Sequence, residues 1–428
     1  MTTTANQIAP PTAGAHRAEA ASVDEIRAHF PALTRMQHGS PIAYFDGPGG
    51  TQVPQEVVDA MSDYLLHHNA NTHWQYPTSQ ETDAMIADSR QAIADFLNSS
   101  PDEVAFGANM TTLTFHLARA LGREWKAGDE VVITELDHHG NVAPWRALER
   151  ERGIVIRSVR LDPETGTLDM RDLAAKLTPR AKLLAINVAS NALGTITDPL
   201  VVTQMAHQAG AEVFIDAVHF APHNLVDVKA SGCDFLACSA YKFYGPHIGI
   251  LYGKKARIEA LDFPRLDPAP QGAPERVETG TQNHEGIIGA GAAVDFIASF
   301  SRRGGSRRDR LSAAFQMLHT RGEELLARLW NGLSGIDGVT LYGSPPGKPR
   351  TPTVVFTMRG MSTNDVARSL ATKGLFVSNG DFYAMTVIER IGQAADGVVR
   401  VGCSCYTTAD EVDRLLDGVR ELSANTKR

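Results

Sequence analysis

Two residues whose types suit carbonyl chemistry stand at the ends of successive apolar runs. Lys242 follows the run Phe235–Cys238, and Asp216 ends the earlier run Val213–Asp216. A lysine amine can bond to an aldehyde, and a carboxylate can keep a pyridine nitrogen protonated, so the pair suits pyridoxal phosphate. Ser239, three residues before the lysine, is a candidate ligand for the phosphate. The sequence therefore predicts a cofactor site built on strand ends.

The elements around these residues indicate how they are brought together. From Val104 onward, apolar runs alternate with helical periodicity, which predicts a mostly parallel sheet covered by helices on both faces. Such sheets bind ligands at the carboxyl ends of their strands, and Asn191, Asp216 and Lys242 each come at or just after such an end. The expected strands are Val131–Thr134, Ile154–Val159, Leu183–Val188, Val213–Asp216, Phe235–Ser239 and Ile248–Tyr252.

The flanking regions predict a tail and a second domain. The first 22 residues are rich in Ala, Thr and Pro and lack an apolar core, so residues 1–22 are interpreted as a disordered tail and as neither signal peptide nor membrane anchor. Residues 23–50 are expected to pack on the smaller domain, and residues 51–305 to form the large one. A long helix followed by short strands and helices predicts a smaller α+β domain over residues 306–428. The predicted fold class is α/β.

Composition narrows the classes of function. The chain has 428 residues, 43% hydrophobic and 21% charged, which is typical of a globular protein, and its net charge of -8 argues against a nucleic-acid partner. No stretch reaches the roughly 20 apolar residues that span a bilayer. Four cysteines are too few for a disulfide framework and indicate a reducing cytoplasm. The alternation in Cys403–Cys405 predicts a strand with two small core residues, and no metal site is expected.

Several motifs occur together in the order found in one enzyme family. They are Asp137–Trp145, Ser190–Thr195, Asp216–Gly253, Thr279–Asn283 and Gly286–Gly289. Through them the chain, from about Ile26 to Leu422, resembles the class V aminotransferase family of fold-type I pyridoxal-phosphate enzymes, and within it the cysteine desulfurase-like branch. The resemblance implies pyridoxal 5'-phosphate as cofactor, a small amino acid as substrate and a homodimer.

The resemblance also implies roles for individual residues. Lys242 and His138 would act in catalysis, His138 by stacking on the cofactor ring. Thr281 would reach the phosphate of the partner subunit. The implied cofactor-binding residues are Met110, Thr111, His138, Asn191, Asp216, His219, Ser239, Tyr241, Lys242 and Thr281. The implied substrate-binding residues are Asn191, Arg400 and Tyr383, and the guanidinium of Arg400 suits a carboxylate.

Several positions depart from the family's pattern. His219 replaces the usual glutamine three residues after the aspartate, and Tyr241 replaces the histidine before the lysine. Both can still donate hydrogen bonds, to the cofactor's phenolate and phosphate respectively. In the loop Ser378–Met385, Tyr383 stands where desulfurases keep a mobile cysteine. Without that thiol, a persulfide on the enzyme has no obvious acceptor.

These observations favour a lyase that cleaves a C–S bond at the β-carbon of a small amino acid. An aminotransferase, an epimerase and a decarboxylating enzyme that forms carbon–carbon bonds use the same residues, so they stay open as alternatives. A protein that keeps the site only as a scaffold is disfavoured, because a scaffold needs the phosphate contacts and not the lysine, aspartate, histidine and arginine together.

Overall fold

The N-terminal elements connect the two halves of the molecule. The computed structural model describes residues 20–425, so the predicted tail at residues 1–22 lies almost entirely outside the described residues. Ser22 and Glu25 form a reciprocal capping box at the first helix. The first elements are α1 (Val23–Ala28), β1 (Met36–Gln37), β2 (Ser40–Pro41), β3 (Ala43–Tyr44), α2 (Gln55–Asp63) and α3 (Pro77–Leu97).

Within residues 20–425, seven strands form the large sheet. They are β4 (Val104–Gly107), β5 (Glu130–Thr134), β6 (Val155–Val159), β9 (Ala181–Asn187), β10 (Glu212–Asp216), β11 (Phe235–Ser239) and β12 (Gly249–Gly253), while β7 (Leu161–Asp162) and β8 (Thr167–Leu168) form a separate small hairpin. The order across the sheet is β4-β12-β11-β10-β9-β5-β6. Only β12 runs antiparallel to its neighbours. The prediction of a mostly parallel sheet is confirmed.

Alternate residues of these strands pack into two separate cores, one on each face of the sheet. In β10, Phe214 packs against Trp145 on one face, while Val213 and Ile215 belong to the core on the other. Burial on both faces explains why the strands read as unbroken apolar runs. The surrounding helices are α4 (Met110–Gly122), α5 (Ala143–Arg152), α6 (Met170–Lys176), α7 (Pro199–Gln208), α8 (Val228–Ser231), α9 (Lys255–Ala260) and α10 (His284–Ala298).

A smaller antiparallel sheet of β13 (Val339–Tyr342), β14 (Thr353–Met358), β16 (Ser378–Gly380) and β17 (Val398–Gly402) follows in the sequence, and β15 (Leu375–Phe376) precedes β16 in the chain. The order across this sheet is β13-β14-β17-β16. Its core also contains Ala43 and Phe45, and β3 pairs with β15, so the N-terminal segment contacts this half. The division of the chain at residue 305 stays a proposal. The helices of this half are α11 (Arg307–Ser334), α12 (Thr363–Ala371), α13 (Met385–Arg390) and α14 (Ala409–Asn425).

One strand prediction is wrong. β17 ends at Gly402, so Cys403 and Cys405 lie beyond it, because the chain turns there toward α14. Both thiols are nevertheless buried, as expected of core residues. Across residues 20–425, no helix is both long enough and apolar enough to cross a bilayer.

Candidate active site

A cavity of about 930 Å³ opens at the carboxyl ends of β5, β9, β10 and β11. His138 and Asn191 follow the first two strands, Asp216 is the last residue of β10, and Lys242 lies just after β11. Parallel strands bring their ends to one edge, which explains how residues distant in sequence meet. The predicted residues that line the cavity are Met110, Thr111, His138, Asn191, Asp216, His219, Ser239, Tyr241, Lys242, Tyr383 and Arg400.

Lys242 is buried, with a relative exposure of 8%. Its Nζ donates hydrogen bonds to the carbonyl oxygens of Pro48 and Gly49, the latter at 2.9 Å. Burial and the positive charge of Arg400 lower the pKa of the amine to about 7, against the opposing charges of two carboxylates. A substantial share of the amine is therefore uncharged and nucleophilic near neutral pH.

The buried carboxylate of Asp216 lines the cavity. Its Oδ1 accepts a hydrogen bond from the amide of Val218 at 2.9 Å. Burial raises the pKa of Asp216 to about 6, while that hydrogen bond and the charge of Lys242 oppose the rise. The group is therefore mostly an anion at neutral pH, and it can pair with a protonated ring nitrogen.

His138 is fixed by the turn that follows β5. Its Nδ1 accepts a hydrogen bond from the amide of Gly140 at 2.9 Å, so the ring proton resides on Nε2. Burial is the main cause that lowers the pKa of His138 to about 4, so the ring is neutral. The preceding Asp137 accepts from the Thr134 hydroxyl at 2.7 Å and from the Asn141 amide at 2.9 Å. These bonds hold the turn and with it the imidazole.

His219 joins the large sheet to the smaller one. Its Nε2 lies 3.0 Å from the hydroxyl of Thr351 and 3.2 Å from that of Thr353, and the first hydroxyl donates to the second. Nε2 therefore has two hydroxyl groups within hydrogen-bond distance. Nδ1 has no partner among the described residues and is buried, while burial lowers the pKa of the ring well below its usual value. The neutral imidazole thus presents an unpaired ring nitrogen at the cavity.

The first turn of α4 offers a place for an anion. Asn109 caps the helix by accepting from the amide of Thr112 at 2.9 Å, and the Ser239 hydroxyl accepts from the amide of Met110 at 3.1 Å. Amides and dipole at such a helix start attract phosphate. Gly249 is required beside it, because a Cβ there would lie 2.4 Å from the carbonyl carbon of Asn109.

Arg400 lies at the opposite wall and is 3% exposed. Its guanidinium donates to the carbonyl oxygen of Asn191 at 2.9 Å and to the Ser378 hydroxyl at 3.2 Å, and it stacks 3.9 Å above the ring centre of Phe382. The Oδ1 atom of Asp46 lies 3.7 Å from Nη2 of Arg400. Burial lowers the pKa of Arg400 to about 10, so the side chain stays cationic and can bind a substrate carboxylate.

The loop that carries Tyr383 is held against the cavity by two backbone carbonyls. Phe382 accepts from the Asn191 amide at 3.0 Å, and Tyr383 accepts from the backbone amide of His139 at 2.8 Å. Phe382 and Tyr383 have φ values of +57° and +56°, so two successive side-chain-bearing residues adopt the left-handed conformation. The phenol ring of Tyr383 is 70% exposed and its centre lies 5.5 Å from that of His138.

No cysteine lines this cavity. Burial raises the pKa of both Cys403 and Cys405 to about 12, and all four cysteines of the chain are buried. Thiols of this kind are not mobile nucleophiles.

Thr281 is the one predicted site residue that the structure does not place in the cavity. It lies in a second cavity of about 830 Å³, which shares Ala108, Thr112 and His247 with the first. Sequence reasoning missed His247, whose ring stacks on that of Tyr241 with centres 4.8 Å apart. His247 directly follows the pair Gly245-Pro246 and is five residues from Lys242, and this position could have indicated that it lies near the site.

The side chains present fit pyridoxal phosphate. Asn191 contributes a buried Oδ1 without a partner among the described residues, and His219 contributes the unpaired Nδ1. Both border a cavity with Asp216 at its floor and the start of α4 at its wall. Buried polar atoms normally have partners, so these two indicate a polar molecule that completes the site.

Comparisons with known proteins agree with this geometry. The family model for aminotransferase class V matches residues 43–415. A cysteine desulfurase of Synechococcus elongatus is 32% identical over 97% of this chain, although the match covers only 66% of that protein. A cysteine desulfurase of Salmonella agona is 34% identical over 94% of this chain and 98% of its own length. The apo structure of a cysteine desulfurase from Thermococcus onnurineus has a TM-score of 0.85 at 28% identity, over 94% of this chain and 98% of that one. A cysteine desulfurase structure from Escherichia coli has a TM-score of 0.82 at 25% identity, with the same coverage.

Proposed function

The chain belongs to the class V aminotransferase family of pyridoxal-phosphate enzymes, and we propose that it is a C–S lyase that eliminates sulfide from a small amino acid such as L-cysteine. One observation carries this choice of reaction. The cavity unites Lys242, Asp216 and Arg400, yet no thiol lines it and Tyr383 occupies the loop that covers it. The sulfur therefore leaves to solvent rather than to the enzyme.

We assign pyridoxal 5'-phosphate to the cavity, with the aldehyde toward Lys242 and the ring nitrogen toward Asp216. The unpaired Nδ1 of His219 supports a hydrogen bond to the phenolate, and His138 would cover the face of the ring. The phosphate would bind at the amide of Thr111, in the first turn of α4, with the hydroxyls of Ser239 and Tyr241, while the amide of Met110 holds Ser239 in place. When bound, this cofactor withdraws electrons from the substrate's α-carbon.

The chain's own residues then direct the elimination. Arg400 would hold the substrate carboxylate with parallel hydrogen bonds, and Asn191 would support it from the neighbouring loop. Lys242, with a pKa of about 7, is suited to accept the α-proton. The C–S bond would then break with its electron pair on sulfur, and the hydroxyl of the exposed Tyr383 can donate a proton to it. The balance is L-cysteine and water giving pyruvate, ammonia and hydrogen sulfide.

The products with L-cysteine test the proposal. We expect free sulfide, pyruvate and ammonia in equal amounts, no alanine, and no sulfur adduct in the intact mass of the protein. Tyr383→Phe should lower the rate without changing the products, because it removes a proton donor and not an acceptor of sulfur.

A sulfur adduct on Cys403 or Cys405 together with stoichiometric alanine would show that a buried thiol takes part and that the elimination proposal is wrong. Product formation that requires an added oxo acid would instead identify an aminotransferase. Tyr342→Phe, the same loss of a phenol hydroxyl at a residue outside the cavity, serves as the control and should leave rate and products unaltered.

We also propose a homodimer in which Thr281 reaches the partner's phosphate. Thr281 lies in the cavity next to its own site rather than within it, and Leu66 and Trp74 expose 75% and 59% of their surface. Light scattering at micromolar concentration should give about twice the 46.2 kDa chain mass. A monomer with cofactor bound contradicts the proposal, and Thr281→Ala should weaken cofactor retention without preventing association.

A further inference from the structure

Arg350 is a buried cation between the two sheets, with a relative exposure of 6%. Its Nη2 donates to the carbonyl oxygens of Leu193, at 3.0 Å, and Thr353. The guanidinium carbon lies 4.8 Å from the ring centre of Trp330. Nε and Nη1 are both buried and have no hydrogen-bond partner among the described residues.

The charge of Arg350 is also uncompensated. No carboxylate of residues 20–425 lies within ion-pairing distance of it. Burial lowers the pKa of the side chain to about 10, so it remains cationic at neutral pH. Burying a cation without a counter-charge is strongly unfavourable, and buried N–H groups without acceptors add to that cost.

Arg350 borders a small cavity of about 30 Å³, separate from the active site. Arg321 lines it as well, and its guanidinium donates to the carbonyl oxygens of Cys405, at 2.7 Å, and Thr407. Arg321 likewise has no carboxylate partner in the part of the chain that the structure describes. His223, which burial keeps neutral by lowering its pKa to about 4, adds a ring that can donate a hydrogen bond.

The only acidic residue that lines this cavity, within the described range, is Glu323. Its side chain is 65% exposed and its Oε1 lies 3.5 Å from Nε2 of His319, so it faces another partner. A cavity needs roughly 10–15 Å³ to hold one water molecule. The cavity therefore has room for an ion of about that size and excludes a nucleotide or a phosphate ester.

We propose that Arg350 binds one small monovalent anion of chloride size at the contact between the two sheets. The anion accepts hydrogen bonds from Nε and Nη1 of Arg350 and neutralises the buried charge. Thr351, the next residue, contacts His219, so the bound ion stabilises the strand whose hydroxyls hold that imidazole at the active site.

Bromide gives the first test, because it replaces chloride and scatters anomalously. Crystals of the cofactor-saturated protein grown in sodium bromide should show an anomalous peak within hydrogen-bonding distance of Nε and Nη1 of Arg350. Absence of that peak in well-ordered crystals overturns the proposal, whatever the behaviour of any variant.

Thermal unfolding gives the second test. At constant ionic strength, gluconate is replaced by chloride until the chloride concentration is a hundredfold above the Kd of the site. This replacement should raise the Tm of the cofactor-saturated protein by about 3 °C. Arg350→Met should abolish the response, while Arg359→Met, at an exposed arginine, should retain it. An equal chloride response in all three proteins contradicts the site, and the uncharged Arg350→Gln replaces the first variant if it does not fold.

Discussion

Replacing Lys242 with alanine should lower the turnover of L-cysteine by about 10³- to 10⁴-fold. In the proposed mechanism the amine is both the group that bonds the cofactor aldehyde and the base for the α-proton, so no other side chain of the cavity substitutes for it. Borohydride treatment followed by peptide mass spectrometry should place the reduced cofactor on Lys242 in the wild-type protein and on no lysine in the variant. Lys255→Ala, a surface change, is the matched control.

The pH dependence of cofactor capture follows from the same amine. Below pH 7 the Lys242 amine is protonated, so the rate of capture should rise about tenfold per pH unit and level off above 7. Because this pKa lies below the 10.5 of an unfolded lysine, the folded state binds fewer protons between pH 7 and 10.5. The free energy of unfolding of the cofactor-free protein should therefore gain a contribution that increases with pH across that window.

Full turnover of L-cysteine by Lys242→Ala, with a stable adduct on another lysine, would refute the assignment of Lys242.

Replacing Arg400 with alanine should reduce kcat/KM for L-cysteine by roughly 30- to 700-fold, the equivalent of about 2–4 kcal/mol for a lost charge-assisted pair. Arg400→Lys should recover only part of the loss, because an ammonium keeps the charge but not the planar fork that matches a carboxylate. Steady-state kinetics with L-cysteine, set beside the Tm of each variant, separate lost binding from lost folding.

A second readout distinguishes a binding role for Arg400 from a structural one. After burial, the charge of Arg400 is the largest cause of the low pKa of Lys242. In Arg400→Met, the pH at which cofactor capture reaches half its maximal rate should therefore move upward. If that midpoint stays near 7 and kcat/KM is unchanged, Arg400 neither binds the carboxylate nor faces the amine.

The sequence was sufficient to predict the sheet and the residues at its edge. Asp216 and Lys242 follow strands buried on both faces, so an apolar run that ends on a charged residue marks a strand end directly. The parallel arrangement then requires these ends to meet. The resemblance to the family added residues such as Asn191 and Arg400, whose positions the strand pattern alone does not connect.

The contacts that cross between the two halves were not predictable. Thr351 and Thr353 meet His219 although more than 130 residues separate them, and hydroxyls in a strand carry no signal for a distant imidazole. The left-handed backbone at Phe382 and Tyr383 was equally hidden, because neither residue type favours it. Such features depend on tertiary contacts that override local preference.

The burial of all four cysteines matters for how this protein withstands oxidants. Peroxide attacks thiolates that are exposed and of low pKa, and it can drive them irreversibly to sulfinic and sulfonic acids. Burial raises the pKa of Cys233, Cys403 and Cys405 to about 12 and keeps every thiol of the chain away from solvent. The proposed active site, which uses a lysine and a phenol in place of a surface thiol, has no cysteine for peroxide to inactivate.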